Sequence, residues 1–235
     1  MKKNRWSIFI QAAVLPFRCF LCAGPADGLD LCAACRRDLP WNRGGCPRCA
    51  ARSPRSAVCG RCLVRPPPWS RATAPLRYRF PVDRMVARFK YSGDQVAGRL
   101  LAELMADAVS PEAPAAGAGC LVPVPLHRDR FRERGFDQAR TLAMSLGRRF
   151  SVPVRPDLLE RARPTRPQAG LGSAARRRNV RGAFRAGRGR VPERITLVDD
   201  VLTTGATTAA AAGALRRAGA RNVELWCLAR AGDQR

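Results

Sequence analysis

Lysine, histidine and aromatic residues are all scarce in this chain of 235 residues. Lysine occurs at positions 2, 3 and 90, the one histidine is His127, and aromatic residues make up 6%. So few aromatic side chains argue against a surface built from the usual base-stacking platforms for nucleic acid. A lone histidine is more often structural than catalytic, although His127 could act as a general acid or base.

Several sequence signatures are missing as well. No apolar run approaches eighteen residues, so we expect no membrane-spanning segment. The chain has no G-x-x-x-x-G-K-[ST] motif, which excludes a P-loop ATPase, and no G-x-G-x-x-G after a strand, which argues against a dinucleotide-binding Rossmann unit. Residues 1–18 carry basic residues before a short apolar stretch but no small-residue cleavage site. We therefore predict an amphipathic N-terminal segment that packs on the fold.

Arginine, in contrast, is abundant. Lysine and arginine total 43 against 18 aspartate and glutamate residues, which gives a formal net charge of +25. A field this positive attracts polyanions, and phosphorylated sugars and nucleic acid are both of that kind.

A phosphate-binding pattern lies near the C-terminal end. Residues 195–198 form a short, β-branched apolar run that predicts a buried parallel strand, and Asp199 and Asp200 close it. Residues 208–218 predict a helix that Gly219 ends. The loop between strand and helix supplies the candidate phosphate ligands, which are Thr203, Thr204, Gly205, Ala206 and Thr207.

The residue types of this pattern suit a phosphorylated sugar. Loop amides and a helix N-terminus offer N–H groups and a positive dipole end to phosphate. The two acids are suited to accept hydrogen bonds from ribose hydroxyls or to lie near Mg²⁺. The alternative is an ordinary strand-turn-helix with a capping threonine, but such a turn does not need two adjacent acids.

The N-terminal cysteines form an internal repeat of C-x-x-C-x₉-C-x-x-C with a period of 27 residues. Four thiolates make a tetrahedral zinc site, so the repeat predicts two zinc ions. The spacing leaves sequential and cross-braced pairing both open. A disulfide module or a redox centre is the less favoured alternative. The predicted ligands are Cys19, Cys22, Cys32, Cys35, Cys46, Cys49, Cys59 and Cys62.

Composition divides the chain into four parts. After the N-terminal segment, residues 19–65 form the predicted double zinc-finger module, 66–75 a proline-rich linker and 76–235 an α/β domain. Within the α/β domain we predict strands at 76–80, 120–126, 152–158 and 222–229, and helices at 82–89, 96–109 and 136–146.

A second candidate anion site follows the predicted strand 120–126. There Arg128, Arg130 and Arg134 lie in a basic loop and could bind pyrophosphate, because guanidinium matches phosphate oxygens bidentately. The alternative is a solvated basic loop. Residues 161–172, rich in proline and glycine, predict a mobile lid that carries Arg166.

Together these segments resemble the ComF (competence protein F) family, and residues 195–207 resemble the phosphoribosyl pyrophosphate (PRPP) motif of type I phosphoribosyltransferases. The matching pieces are the C-x-x-C pairs, Phe-Lys-Tyr-Ser-Gly-Asp at 89–94, Pro-Val-Pro-Leu-His at 123–127 and Arg-Glu-Arg-Gly-Phe-Asp-Gln at 132–138. The resemblance implies an open, mainly parallel sheet flanked by helices, with PRPP and Mg²⁺ at the loop after Asp200. It also implies, in competent bacteria, a role in the uptake of single-stranded DNA beside a helicase-like partner; a role in nucleotide metabolism is the other possibility. The paired C-x-x-C turns indicate a cytoplasmic protein.

Two functions follow from these observations. In the first, the chain is a phosphoribosyltransferase in which Asp199 and Asp200 hold the ribose and arginines stabilise the departing pyrophosphate. In the second, it is a non-enzymatic, zinc-dependent module that binds single-stranded DNA and keeps a vestigial sugar site. The sequence predicts neither the acceptor nor the oligomeric state.

Overall fold

The computed structural model describes residues 17–26, 28–109, 119–164 and 173–232. The helices are α1 Ala33–Arg37, α2 Gly60–Val64, α3 Val82–Ser92, α4 Gln95–Ala108, α5 Arg128–Arg134, α6 Gln138–Phe150, α7 Ser173–Val180 and α8 Ala206–Arg217. The strands are β1 Arg71–Thr73, β2 Leu76–Arg77, β3 Cys120–Pro123, β4 Leu159–Arg161, β5 Phe184–Ala186, β6 Arg194–Leu202 and β7 Asn222–Arg230. No helix of the described residues is long and apolar enough to cross a bilayer.

The main sheet has the strand order β1-β7-β6-β3, with β2 also paired to β7, and every pairing is parallel. Strands β4 and β5 form a separate antiparallel pair. The prediction of an α/β fold with a mainly parallel sheet flanked by helices is confirmed. Strand β1 lies within the segment predicted as a linker, so the second half of that segment belongs to the sheet.

Two apolar cores cover the two faces of this sheet. Alternate residues of β7 divide between them, as the pleat requires: Trp226 packs with helices α3, α4 and α6, whereas Leu225 packs with helix α8. Both side chains are almost fully buried. Polar groups, which include Asp199, Asp200 and Thr203, lie at the edge of the sheet where β6 ends.

Strand β6 is longer than predicted. It continues through the two acids to Leu202, because β7 extends to Arg230 and pairs with it in register, with Asp199 opposite Cys227. The acids therefore lie inside the last part of the strand and do not close it. The predicted strand at 76–80, in contrast, is shorter than expected, since β2 stops at Arg77.

Two further predictions of secondary structure are wrong. Residues 152–158 form no strand beyond a single bridge between Val154 and Leu121, because Pro153 and Pro156 cannot donate to a ladder. The predicted basic loop is helix α5, which the His127 side chain caps at its start and Gly135 ends with a φ of 75°. The predicted N-terminal segment at 1–18 and lid at 161–172 lie largely outside the described residues.

Candidate functional site

The eight N-terminal cysteines form two clusters, and the pairing is sequential. Within each cluster the four sulfur atoms lie within 4.8 Å of one another. The N-terminal cluster consists of Cys19, Cys22, Cys32 and Cys35, and the loop-side cluster consists of Cys46, Cys49, Cys59 and Cys62. The structure thus selects one of the two pairings that the repeat left open, and the prediction of two four-cysteine sites is confirmed.

The geometry of both clusters fits zinc. A tetrahedral ion with Zn–S bonds of ~2.3 Å requires sulfur atoms about 3.8 Å apart. The Cys22 and Cys32 sulfurs are 3.8 Å apart, and the Cys49 and Cys59 sulfurs are 3.7 Å apart. In the loop-side cluster the Cys59 N–H also donates to the sulfur of Cys46 at 3.3 Å, a bond that favours thiolate.

The electrostatics of one cysteine in each cluster also favour thiolate. Burial raises the pKa of Cys19, but the backbone N–H groups of Cys32 and Cys22 outweigh this effect and lower it to about 6. Burial likewise opposes ionisation of Cys46, whereas N–H groups that include that of Cys59 lower its pKa to about 7. Each cluster therefore offers a cation one thiolate near neutral pH.

A cavity of about 280 Å³ lies at the carboxyl edge of β3 and β6, where open α/β sheets bind ligands. Side chains of both charges line it together with the loop after β6. Among the predicted site residues, the cavity brings together Asp199, Asp200, Thr203, Gly205, Ala206, Thr207, Arg130 and Arg134.

The two adjacent acids have different surroundings. Asp200 forms an ion pair with Lys90, and both side chains are less than one-fifth exposed. Burial raises the pKa of Asp199 to about 8, and repulsion from Asp200 adds to the effect. Asp199 accepts a hydrogen bond from the Asp200 N–H at 2.9 Å. A cation or a donor hydroxyl at Asp199 would stabilise its charged form.

Lys90 is a cavity residue that the sequence analysis did not assign to the site. Burial lowers its pKa, but attraction to Asp200 outweighs burial and holds the pKa above the ordinary value. The available signal was composition, because Lys90 is the only lysine after position 3 in a chain that otherwise uses arginine. Tyr78, Asp137, Gln138 and Arg161 also line the cavity and were not predicted as site residues.

The loop from Thr203 to Thr207 leads directly into helix α8. Gly205 precedes the helix with a φ of 78°, a conformation that favours glycine. The Gly205 carbonyl accepts from the Ala209 N–H at 2.8 Å and from the Thr208 hydroxyl at 3.1 Å. The loop therefore presents the N-terminus of a twelve-residue helix to the cavity.

The predicted arginines divide according to the face of helix α5. Arg130 and Arg134 are one helical turn apart and both line the cavity, whereas Arg128 is exposed and lies outside it. Arg161, from strand β4, adds a third cavity arginine. Burial lowers the pKa of Arg161, and the nearby charge of Arg130 lowers it further. Arg166 lies outside the described residues.

A second cavity, of about 500 Å³, adjoins the first. The two share Lys90, Arg130 and Arg134, and His127 and Tyr91 line only the second. His127 is half-buried, with its Nδ1 3.1 Å from the Asp129 carboxylate. The structure thus places the one histidine beside the first cavity and not within it.

Comparison with known proteins shows similarity along most of the chain. The family described as double zinc ribbon domain matches residues 10–63. The DNA utilization protein YhgH of Escherichia coli strain K12 is 32% identical over 92% of this chain and 98% of its own length. Competence protein F of Haemophilus influenzae is also 32% identical, over 92% and 97%. Competence protein ComFC of Streptococcus pneumoniae is 29% identical over 87% and 89%.

Proposed function

We propose, because the chain belongs to the competence protein F (ComF) family, that it binds PRPP beside Asp199 and Asp200. We also propose that it acts in the uptake or use of DNA. The observation that carries this proposal is the first cavity, where a pair of acids, a glycine loop before a helix, and three arginines converge. Each group matches one part of the ligand. The 5-phosphate belongs on the loop, the ribose hydroxyls on the acids and the pyrophosphate on the arginines.

Such a site supports transfer of the phosphoribosyl group. The bond between ribose C1 and the pyrophosphate oxygen breaks, and pyrophosphate leaves with the electron pair. A nucleophile of the acceptor forms the new bond to C1 and releases its proton to solvent. Arg130, Arg134 and Arg161 would neutralise the charge that develops on pyrophosphate. In this scheme the protein positions and neutralises but forms no covalent intermediate.

Magnesium belongs to the same proposal, because carboxylate and phosphate oxygens are the ligands that this ion prefers. When bound, the ion would neutralise charge on the pyrophosphate. Asp199 is the residue suited to lie near it, since Asp200 is already paired with Lys90. A nearby cation would also offset the burial that keeps the Asp199 carboxyl protonated.

Calorimetric titration with PRPP and with inorganic pyrophosphate, both with Mg²⁺, tests the proposal. The wild type should prefer PRPP, because only PRPP offers ribose hydroxyls. Asp200→Asn should lower the preference for PRPP over pyrophosphate at least tenfold, and pyrophosphate itself should bind no more weakly, since Lys90 loses its partner. Asp157→Asn, which changes an exposed acid paired with Arg155, is the matched control. No PRPP binding by the wild type, or an unchanged preference in Asp200→Asn, contradicts the proposal.

A second candidate function is binding of single-stranded DNA, and the second cavity favours it. Tyr91 on its wall is 76% exposed, and the Arg134 guanidinium lies 5.3 Å from the centroid of its ring. An exposed aromatic ring beside three shared cations can stack on a base while the cations meet phosphates. This site would let the chain bind single-stranded DNA whether or not it also transfers a phosphoribosyl group. We propose a cytoplasmic location for the protein, because cysteine clusters that bind zinc need reduced thiols. A helicase-like partner is proposed on the family resemblance alone.

A salt titration of a labelled single-stranded oligonucleotide tests this second function. Tyr91→Ala should weaken binding several-fold and leave the salt dependence unchanged, because it removes stacking and no phosphate contact. Phe80→Ala is the matched control, since Phe80 is also 76% exposed but lines neither cavity. Equal losses in the two variants, or feeble wild-type binding at low salt, would remove this candidate.

A further inference from the structure

A buried arginine joins the loop-side cluster to the phosphate loop. Arg230, at the end of β7, is 7% exposed. Its Nε donates to the Cys49 carbonyl at 3.0 Å, and its Nη1 donates to the carbonyls of Leu202 at 2.8 Å and Thr203 at 2.7 Å. One guanidinium thus contacts a zinc-ligand residue, the last residue of β6 and the first residue of the loop. Hydrogen bonds from a buried charged donor are among the stronger ones in proteins.

Two further side chains make the same connection. Arg61 lies in helix α2, between Cys59 and Cys62, and donates to the Thr204 carbonyl at 3.2 Å. Trp69 donates to the Arg48 carbonyl, between Cys46 and Cys49, at 2.6 Å. The ring of Trp69 also packs against Gly205 so closely that a Cβ there would lie 3.1 Å from Cη2. The contacts around the loop-side cluster therefore reach each residue from Leu202, the end of β6, to Gly205.

These contacts fix the direction of the loop amides. In a trans peptide the carbonyl and the following N–H point in opposite directions. Arg230 and Arg61 bind the three successive carbonyls of residues 202–204. The N–H groups of Thr203, Thr204 and Gly205 are therefore turned away from the arginines that hold the carbonyls. Preorganised N–H groups of this kind cost nothing to reorient when an anion binds.

The N-terminal cluster makes no comparable connection within the described residues. Its surroundings contact the helices, through Arg99 to Asp30 at 2.6 Å and Arg36 to Asp107 at 2.7 Å. The hydrogen bonds that the described residues show for its four cysteines stay within residues 19–36. The two clusters thus provide an internal comparison.

We propose that the loop-side zinc cluster positions the phosphate loop, with Arg230 as the positioning residue. The inference rests on the proposed binding of phosphate at this loop. Because coupling between two sites is reciprocal, a phosphate-bearing ligand must in turn stabilise zinc in the loop-side cluster. The N-terminal cluster should show no such effect. The cysteine repeat therefore contains one zinc site that serves the ligand site and one that does not.

Zinc release to a chelator, followed by a colorimetric zinc indicator, tests the coupling in the full-length protein. Cys22→Ser and Cys62→Ser identify which kinetic phase belongs to which cluster. Saturating PRPP should slow release from the loop-side cluster at least fivefold and leave the other phase unchanged. Equal slowing of both phases, or of the N-terminal phase alone, overturns the proposal. If calorimetry detects no PRPP binding, the proposed function fails first; if PRPP binds and neither phase changes, only the coupling fails.

Arg230→Met and Arg230→Lys test the positioning role. Arg230→Met should retain zinc by metal analysis but bind PRPP about tenfold more weakly, and saturating PRPP should no longer slow zinc release. Arg230→Lys keeps the charge and should recover part of the effect. Arg61→Met guards against misfolding of the first variant, because Arg61 is exposed and makes one bond to Thr204. In Arg61→Met, the factor by which PRPP slows zinc release should fall at least twofold. The same factor as in the wild type in both methionine variants would falsify the proposal.

Discussion

The two zinc clusters share one cysteine spacing but have different surroundings. The N-terminal cluster packs against helices α3 and α4 through apolar side chains and ion pairs near the surface. There the Arg88 guanidinium lies 4.5 Å from the ring centroid of Phe20. The loop-side cluster contacts the carboxyl edge of the sheet through a buried arginine and a buried tryptophan. The same cysteine spacing therefore produces two clusters of one kind, and their surroundings distinguish them.

The difference in burial has an energetic consequence. Exposed ion pairs contribute about 0–1 kcal/mol each, because water competes with them. Buried hydrogen bonds to a charged group contribute about 1.5–3 kcal/mol, and a buried carbonyl left unpaired costs about 1–3 kcal/mol. Perturbing the loop-side contacts should therefore affect stability and ligand binding, whereas perturbing the N-terminal contacts should affect neither strongly.

The largest expected effect is that of Trp69→Ala. Trp69 is 3% exposed, so its loss should lower the free energy of unfolding by about 3–5 kcal/mol through the cavity and the lost bond to Arg48. Phe20→Ala, at the half-buried aromatic residue of the N-terminal cluster, should cost about 1–2 kcal/mol. Urea denaturation of zinc-loaded proteins measures both values. A larger loss for Phe20→Ala would reverse the comparison.

The next effect concerns the pH dependence of stability. The pKa of Asp199 is about 8 in the folded protein against an ordinary value of 3.8, because burial and Asp200 disfavour its charge. The folded state thus favours the protonated form, and this contribution to stability is full below about pH 4 and lost as the pH rises to about 8. Asp199→Asn removes this loss of stability at high pH, because the amide side chain does not ionise.

We expect Asp199→Asn to raise the free energy of unfolding by about 1–3 kcal/mol at pH 8 and hardly at all at pH 4. Urea denaturation at the two pH values measures the difference. Asp38→Asn, at an exposed acid near the N-terminal cluster, should change neither value. A gain at pH 4 as large as that at pH 8 would show that burial of the Asp199 charge is not the cause.

A smaller effect compares two glycines of positive φ. Gly205→Ala and Gly28→Ala should each cost about 1 kcal/mol, because both backbones are left-handed, with φ of 78° and 67°. Only at Gly205 would the new Cβ crowd Trp69, since nothing lies within 4 Å of the position at Gly28. PRPP affinity, measured by calorimetry, should therefore fall several-fold in Gly205→Ala alone. Equal affinities would show that the loop tolerates the displacement.

The smallest effect is expected at the ion pair between Arg99 and Asp30. The Arg99 side chain is 63% exposed, so Arg99→Ala should change the free energy of unfolding by less than about 1 kcal/mol. Zinc content and PRPP affinity should remain those of the wild type. Loss of zinc from the N-terminal cluster in this variant, seen by metal analysis, would show that the pair does more than a surface contact.

Local patterns predicted much of this molecule. The apolar run at 195–198, the loop that follows and helix α8 were readable because their signals lie within a few residues of one another. Helix α5 was misread as a loop because it buries no apolar face; its His127 cap and Gly135 stop define it instead. The sequential pairing of the cysteines was not predictable either, since both pairings obey the same spacing.

Contacts across the chain were beyond such patterns. Arg230 lies 181 positions from Cys49, and only the parallel register of β7 with β6 brings it to Leu202. The pair of Lys90 and Asp200 likewise joins helix α3 to strand β6. Hydrophobic periodicity reports which face of an element is buried, but it does not report which polar residue another element will bring to that face.

The scarcity of lysine gives the cavity a built-in chemical reporter. Beyond residue 3, the only primary amine on a side chain is that of Lys90. Its raised pKa and its pairing with Asp200 keep the amine protonated and slow towards acylating reagents near neutral pH. A ligand that draws Asp200 away or covers the cavity must change that rate. The mass shift of a single peptide would then measure occupancy of the site in the unmodified sequence.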